Sequence, residues 1–251
     1  MKKRILTNCI QTLFALLFML LAWGIAYLSF GNELLVPSLF DCAQEFGKLL
    51  VSGAFWRAIA NTLLRTLGAF SVSLILAGIM AVISYILPSF GRFFMPIVSA
   101  LRSLPTLAVL LILLVWWGVG FAPVAVAFLS LFPMLYAGIS AALSQVDNEL
   151  VEMSRAYKVP LKKQITQLYI PSALPYILRE SGAAVSFSLK LVVSAEVIAN
   201  TAKSLGGLLQ EAKNYSEIPT LFALVGVSFV IGLILELVCV GIANVVERRV
   251  R

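Results

Sequence analysis

The polar side chains that could do chemistry in this chain lie inside strongly apolar stretches. The early group is Arg102 and Ser103, with Pro105 beside them. The late group is Ser186, Lys190 and Glu196. An ionised side chain in such a stretch is costly, so each should face a partner or a water-filled cavity. In a site of low dielectric constant, Lys190 would attract an anion such as a sulfonate or a carboxylate. The late group therefore predicts a path for a small solute.

Both groups leave a second interpretation open. Pro105 should kink its helix, and the kink could lie on a solute path, or Arg102 could lie near the inner membrane surface. Glu196 could instead cap a helix or hydrogen-bond to another one. Lys190 and Glu196 are about 120° apart around one helix, so each needs a partner elsewhere. A further polar stripe, whose simplest role is helix contact with a snorkelling arginine, contains Asn61, Thr62, Arg65 and Thr66.

Known catalytic arrangements do not occur in this sequence. The chain has no histidine, which excludes a histidine-assisted triad and a histidine metal site. Its cysteines, Cys9, Cys42 and Cys239, lack metal-ligand spacing. The phosphate-binding pattern Gly-x4-Gly-Lys-Ser/Thr is also absent, so this chain cannot hydrolyse ATP by that route. We predict no catalytic residue, no metal ligand and no cofactor bound by the chain itself.

Composition points to a membrane protein that is built from helices. Of the 251 residues, 61% are hydrophobic and 12% are charged, and a helical span needs about 20 apolar residues. Long apolar runs without strand alternation predict an all-α fold with one transmembrane domain over residues 1–251. The six candidate spans are residues 10–30, 58–87, 93–119, 122–143, 181–199 and 219–243. Glu236 is a further acid within the last span.

The distribution of basic residues predicts the orientation. The net charge of +7 would suggest a nucleic-acid partner only if the charges formed one patch. Most of them instead fall on one side of the predicted spans, which places both termini in the cytoplasm. Basic residues beside the membrane also favour anionic lipid headgroups. We therefore predict contact with lipid and no nucleic-acid partner.

The longest polar interval, residues 147–176, separates the fourth and fifth predicted spans. Its apolar residues recur at steps of three and four, which indicates helices with one apolar face. Pro160 interrupts this pattern, and Pro171 and Pro175 should end it. We expect two short amphipathic helices that are joined by a bend and face water. Such an element has little use for stability and indicates a docking surface.

The same interval resembles the EAA loop of importer-type ABC permeases. Glu152-Met153-Ser154, Lys158 and Ile170-Pro171 follow the order Glu-Ala-Ala, glycine and Leu-Pro of that loop, with both alanines, the glycine and the leucine replaced. The resemblance extends to Leu104-Pro105-Thr106, Lys190, Ala195-Glu196 and Leu205-Gly206-Gly207. Nearly the whole chain is similar to the permeases that serve sulfonate, taurine, nitrate and thiamine-precursor uptake.

This resemblance implies a type I ABC importer permease fold with residues 147–176 as the cytoplasmic coupling loop. The residues that would contact an ATPase are Glu149, Glu152, Met153, Ser154, Tyr157, Lys158, Ile170 and Pro171. Leu205, Gly206 and Gly207 would form part of the outer gate, where a solute-binding protein docks. The implied partners are two ATPase subunits, which hold ATP and Mg²⁺, a second permease copy, a binding protein and a small solute. A homodimer is the simpler arrangement.

Such a permease would work by alternating access in the cytoplasmic (inner) membrane of a prokaryote. Two other classes stay open at this point. An ion-driven secondary transporter should show repeated halves and paired ionisable residues at mid-membrane. A membrane-embedded enzyme should show clustered nucleophiles or acid–base pairs at the membrane surface. Neither feature is evident in the sequence.

Overall fold

The computed structural model describes residues 14, 18, 21–32 and 35–250. Within that part of the chain the secondary structure is helical and contains no β-strand, which confirms the predicted all-α class. The helices are α1 (Leu21–Phe30), α2 (Leu39–Val51), α3 (Gly53–Ile86), α4 (Pro88–Ser103), α5 (Thr106–Ser144), α6 (Asn148–Ala156), α7 (Leu161–Ala199), α8 (Leu205–Asn214) and α9 (Ile218–Val250). Among the described residues, α3, α5, α7 and α9 are long and apolar enough to cross a membrane.

Small side chains on one face of α3 let the central helices pack closely. The buried residues along this face are Ala58, Thr62, Thr66, Ala69, Ser73, Ala77 and Ala81. Their spacing of three or four residues places them on one side of the helix. Small residues allow helix backbones to approach, and hydroxyl groups can then bond across the contact. The hydroxyl group of Ser188 on α7 donates to the Thr66 carbonyl oxygen at 3.1 Å.

The predicted third span, residues 93–119, is not one helix. Helix α4 ends at Ser103, the backbone at Leu104 and Pro105 is extended, and α5 begins at Thr106. The expected kink is therefore a break, because Pro105 disfavours helical geometry in the residue before it. Within α5 the chain bends at Gly118, whose φ of +70° lies in the left-handed region that glycine adopts easily.

The bend at Gly118 divides α5 into two segments, residues 106–117 and 119–144. It brings Leu110 and Leu113 of the first segment against Ala122 and Val126 of the second. The fourth predicted span, residues 122–143, lies within the second segment. The predicted first span, residues 10–30, falls partly outside the described residues, and its described helix α1 is shorter than a membrane span, so a total of six spans stays a prediction.

Pro160 separates α6 from α7 as expected, but Pro171 and Pro175 do not end a helix, so the expectation of a second short helix was wrong. Only α6 is short, and α7 runs through Pro171 and Pro175 to Ala199. Residues Ile165–Tyr169 form a wide π-type turn, in which the Ile170 N–H bonds to the Ile165 carbonyl oxygen five residues back. Such a turn relieves the clash that a proline ring makes with the preceding turn of an α-helix.

Candidate functional site

Helix α6 turns one narrow face inward and several apolar side chains outward. Val151 and Ser154 are buried, and Val151 packs into the same core cluster as Tyr169 of α7. In contrast, Met153 and Tyr157 have 54% and 78% of their surface exposed. The exposed apolar side chains at this end of the molecule, Leu150, Met153, Tyr157 and Leu161, form what we call the loop face. An exposed apolar patch of this kind is typical of an interaction site.

Charged residues border the loop face. Glu149, Glu152 and Lys158 are all exposed, and the Glu149 N–H bonds to the Asp147 carboxylate at 2.9 Å, which caps the start of α6. Ile170 is also exposed, while Pro171 is half-buried; both lie further along α7. The residues predicted to contact an ATPase are thus mostly on the surface, with Ser154 as the buried exception. Contact with an ATPase stays a prediction.

The turn between α6 and α7 contains the residue that replaces the glycine of the EAA pattern. Lys158 has a φ of +53°, so it adopts the left-handed conformation for which glycine is best suited. The turn is held by the Val159 N–H, which bonds to the Ser154 carbonyl oxygen at 3.0 Å. The Gln164 side-chain amide donates to the Val159 carbonyl oxygen at 2.7 Å. The sequence therefore loses the glycine here but keeps its backbone conformation.

We expect Lys158→Gly to stabilise the chain by about 1 kcal/mol, because glycine removes the steric cost of a left-handed residue. The same change at Lys162, which is exposed within α7, should cost about 0.5–1 kcal/mol because glycine weakens a helix. Thermal unfolding of the two purified variants checks the pair. Equal destabilisation by both changes would contradict a left-handed conformation at residue 158.

A buried polar cluster lies at the opposite end of α7, where the Glu196 carboxylate has no exposed surface. It accepts hydrogen bonds from the Thr62 hydroxyl and from the Arg65 guanidinium, both at 2.8 Å. A third bond comes from the Gly206 N–H at 3.2 Å. The carboxylate thus joins α3, α7 and the N-terminus of α8, whose backbone dipole favours a negative charge. The structure thus gives Glu196 inter-helix hydrogen bonds, which the second interpretation of this residue expected.

Further hydrogen bonds hold the start of α8 against α3. The Leu205 N–H donates to the Thr62 hydroxyl at 2.9 Å, and the Asn61 amide donates to the Lys203 carbonyl oxygen at 2.9 Å. Ser204 caps the helix by accepting from the Gly207 N–H at 2.9 Å. We call the set around the carboxylate the α8 lock, defined by Thr62, Arg65, Glu196, Ser204, Leu205 and Gly206.

The glycines of the predicted outer gate have no room for a side chain. A Cβ atom on Gly206 would lie 2.7 Å from both the Val193 carbonyl oxygen and the Val197 nitrogen of α7. On Gly207, a Cβ atom would collide with the Thr201 carbonyl oxygen. Leu205 is completely buried. The three predicted gate residues therefore lie together at the tightly packed start of α8; their role as a gate stays a prediction.

The residues predicted to lie on a solute path occupy three different places. Arg102, Ser103 and Pro105 are exposed at the break between α4 and α5. Ser186 and Lys190 line a cavity between α7 and α9, whereas Glu196 belongs to the α8 lock. The lining of that cavity includes Glu236 and Ser228 of α9, which sequence reasoning did not connect to Lys190. The signal that could have found them is the pair of opposite charges in neighbouring apolar spans.

Lys190 belongs to an exposed stripe on the otherwise well-buried helix α7. The stripe runs along residues 176–198, where Tyr176, Glu180, Ala183, Phe187, Lys190, Ser194 and Ile198 are exposed at steps of three or four residues. A face with two ionisable residues is unsuited to hydrocarbon. It therefore faces protein or water in the working molecule.

Comparison with known proteins identifies the family. A family model described as "Binding-protein-dependent transport system inner membrane component" matches residues 73–251. The chain therefore belongs to this family, whose members are the membrane permeases of ABC transporters. The taurine transport system permease protein TauC of Escherichia coli is 24% identical over 224 residues, which cover 86% of this chain and 80% of that protein.

Two further comparisons agree with this result. The putative aliphatic sulfonates transport permease protein SsuC of Escherichia coli is 27% identical over 73% of this chain and 68% of its own length. In fold, the chain is similar to a subunit in the crystal structure of a bacterial alginate ABC transporter. The TM-score is 0.62, with 18% identity and 97% coverage of both chains. The family membership confirms the predicted resemblance and sets aside the ion-driven and enzymatic alternatives.

Proposed function

We propose that this chain is the transmembrane subunit of an ATP-driven importer, and that an ATPase subunit binds its loop face. The observation that carries this proposal is the exposure of Met153 on α6 and of Tyr157 just after it, although Val151 anchors the same helix in the core. A stable monomer would bury these side chains, because removing apolar surface from water is favourable. A partner that covers them supplies the missing burial, and Glu149 and Glu152 offer charged contacts at its rim.

Helix α7 is suited to carry motion away from that contact. It runs without interruption for 39 residues from Leu161 to Ala199, a length of roughly 58 Å at the α-helical rise. One end packs against α6, and the other end carries Glu196 in the α8 lock. Movement of the loop face by an ATPase would therefore tilt the helix and displace α8 at the far end as part of a rigid body.

The complete transporter in this proposal contains two copies of the chain, two ATPase subunits and an extracytoplasmic binding protein. ATP and Mg²⁺ are held by the ATPases. The exposed stripe of α7 faces the second copy or the solute path between the copies, and solute crosses by alternating access. The chain makes six crossings with both termini in the cytoplasm; the third consists of α4 followed by the first segment of α5.

The solute is a small molecule with an anionic group. Lys190 in the exposed stripe supports this, since a cation in an apolar surrounding attracts an anion. The names of the two similar permeases, for taurine and for aliphatic sulfonates, support a sulfonate as the anionic group. Residues Leu205–Gly207 at the α8 lock lie on the side where the binding protein releases this solute.

We expect Tyr157→Asp to reduce recovery of the ATPase subunit in co-purification by about tenfold, because it places a charge in an apolar contact. Tyr215 offers a matched control, since 73% of its surface is exposed at the other end of the molecule, just after α8. Tyr215→Asp should leave ATPase recovery unchanged. Both side chains are exposed, so neither change should alter folding strongly. Equal recovery of the ATPase with both variants would overturn the proposed docking surface.

A further inference from the structure

A cavity of about 370 Å³ between α7 and α9 is lined by side chains of opposite charge. Lys190 lies on α7 and Glu236 on α9, with hydroxyl groups of Ser186, Ser194 and Ser228 around them. Within the described part of the chain, the ion pairs are Lys48–Glu45 and Arg65–Glu196, so Lys190 and Glu236 do not pair with each other. We propose that this cavity binds a zwitterionic small molecule, with its anionic group at Lys190 and its ammonium group at Glu236.

The backbones of Lys190 and Glu236 are offset along the helix axes, because α7 and α9 pack antiparallel. A Cβ atom on Gly232 would lie 3.2 Å from the Ser186 hydroxyl oxygen, and one on Gly182 would lie 3.3 Å from the Glu236 carbonyl oxygen. Because position 232 lies opposite 186 and 236 opposite 182, the helices run in opposite directions. Lys190 is four residues beyond Ser186, so it is displaced from Glu236 by roughly 12 Å along the helix axis.

The side chains nevertheless lean towards each other. Each Cα–Cβ bond in a helix tilts towards the helix N-terminus. In an antiparallel pair this tilt directs Lys190 down towards the level of Ser186 and directs Glu236 up towards the level of Gly232. The ammonium group of Lys190 and the carboxylate of Glu236 are therefore closer together along the helix axis than their Cα atoms are, with the cavity between them. A molecule with two opposite charges a few atoms apart fits between them.

Electrostatics favours a zwitterion over a simple ion in this space. An unpaired charge in a membrane-spanning helix is costly when water cannot reach it freely. An anion would compensate Lys190 but leave Glu236 unpaired, and the Glu236 carboxylate would repel it. A cation would leave Lys190 unpaired for the same reason. Only a ligand with both charges offsets both costs, and the serine hydroxyl groups can bond to either of its ends.

This inference rests on the proposed function, since it names the solute class of the same transporter. The test uses the purified full chain in lipid nanodiscs and binding of labelled 2-aminoethanesulfonate, with unlabelled ethanesulfonate and ethylammonium as competitors of one charge each. We expect the zwitterion to compete at least about tenfold better than either single ion. Lys190→Met should abolish that preference and leave ethylammonium as the better competitor, while Glu236→Gln should favour ethanesulfonate.

Glu217→Gln and Lys213→Met serve as matched controls, because both residues are exposed and lie outside this cavity; they should bind as the native chain does. The double change Lys190→Glu with Glu236→Lys should restore binding, since the ligand can turn end over end. This charge-swapped variant also tests the ligand class if one of the single variants does not fold.

Equal competition by the three compounds, or no saturable binding of the zwitterion to the native chain, would overturn this ligand class. So would a charge-swapped chain that folds and does not bind. These results would leave the permease assignment in place, because ATPase recovery is measured separately. Equal recovery of the ATPase with the Tyr157→Asp and Tyr215→Asp variants would instead contradict the proposed function.

Discussion

Gly206→Ala is expected to destabilise the protein by about 3 kcal/mol, because the added methyl group has no space between α7 and α8. It would collide with the Cβ atom of Glu196 and lie 2.7 Å from the backbone atoms Val193 O and Val197 N. This is shorter than a van der Waals contact, and backbone atoms within a helix cannot rotate away as a side chain can. The start of α8 must therefore move, and the hydrogen bond from the Gly206 N–H to Glu196 is lost with it.

Gly226→Ala is the matched control for this change. Gly226 lies in α9, and an added Cβ atom there would meet no atom within 4 Å. Alanine should raise stability at this position by about 0.5–1 kcal/mol, because glycine is the weaker helix former. Thermal unfolding of the purified variants checks both changes. If Gly206→Ala unfolds at the native temperature, α8 is not packed against α7 as closely as the structure describes.

The sequence predicted a docking surface and the side chains that form it, but not that Ser154 among them is buried. The polar interval and its helical spacing were sufficient to locate α6. The same spacing does not tell which face of α6 is covered, because Val151 and Met153 are both apolar and lie on different faces. Val151 is buried because Tyr169 of α7 packs into the same cluster, and that contact depends on the tertiary arrangement.

The rule that proline ends a helix failed at Pro171 and Pro175. It describes the cost of a proline ring in a regular α-helix. Here the turn before Pro171 is wider, and the Ile170 N–H reaches back five residues to Ile165. No local residue preference predicts such a turn. At Lys158 the residue type departs from the glycine of the EAA pattern, yet the backbone adopts the left-handed conformation that glycine favours.

The partner of Glu196 could not be predicted from one sequence. Thr62 and Arg65 were recognised as a polar stripe, and Glu196 as an acid that needs a partner on another helix. These residues are more than 130 positions apart in the chain. The apolar pattern predicts the helices but not their order around the bundle, and any of several helices could have supplied the partner.

Arg65→Met is expected to cost about 3–5 kcal/mol, the loss that is typical when one member of a buried ion pair is removed. The Arg65 side chain is 20% exposed, whereas the Glu196 side chain is completely buried. Removing Arg65 therefore leaves a carboxylate that cannot reach water and keeps only the bonds from Thr62 and Gly206. Removing the carboxylate instead leaves a guanidinium group that is partly hydrated.

This asymmetry predicts the result of a double-mutant cycle with Glu196→Gln, which keeps the size of the side chain and removes its charge. The double variant Arg65→Met with Glu196→Gln should be more stable than Arg65→Met alone by about 1 kcal/mol or more, because no charge remains buried. Chemical or thermal unfolding of the three variants in one detergent measures the coupling. The control is Arg57→Met. Arg57 is exposed about two turns earlier on α3, and its side chain donates to the Gly53 carbonyl oxygen. Additive losses at Arg65 and Glu196 would show that the α8 lock is held by its neutral hydrogen bonds and not by the ion pair.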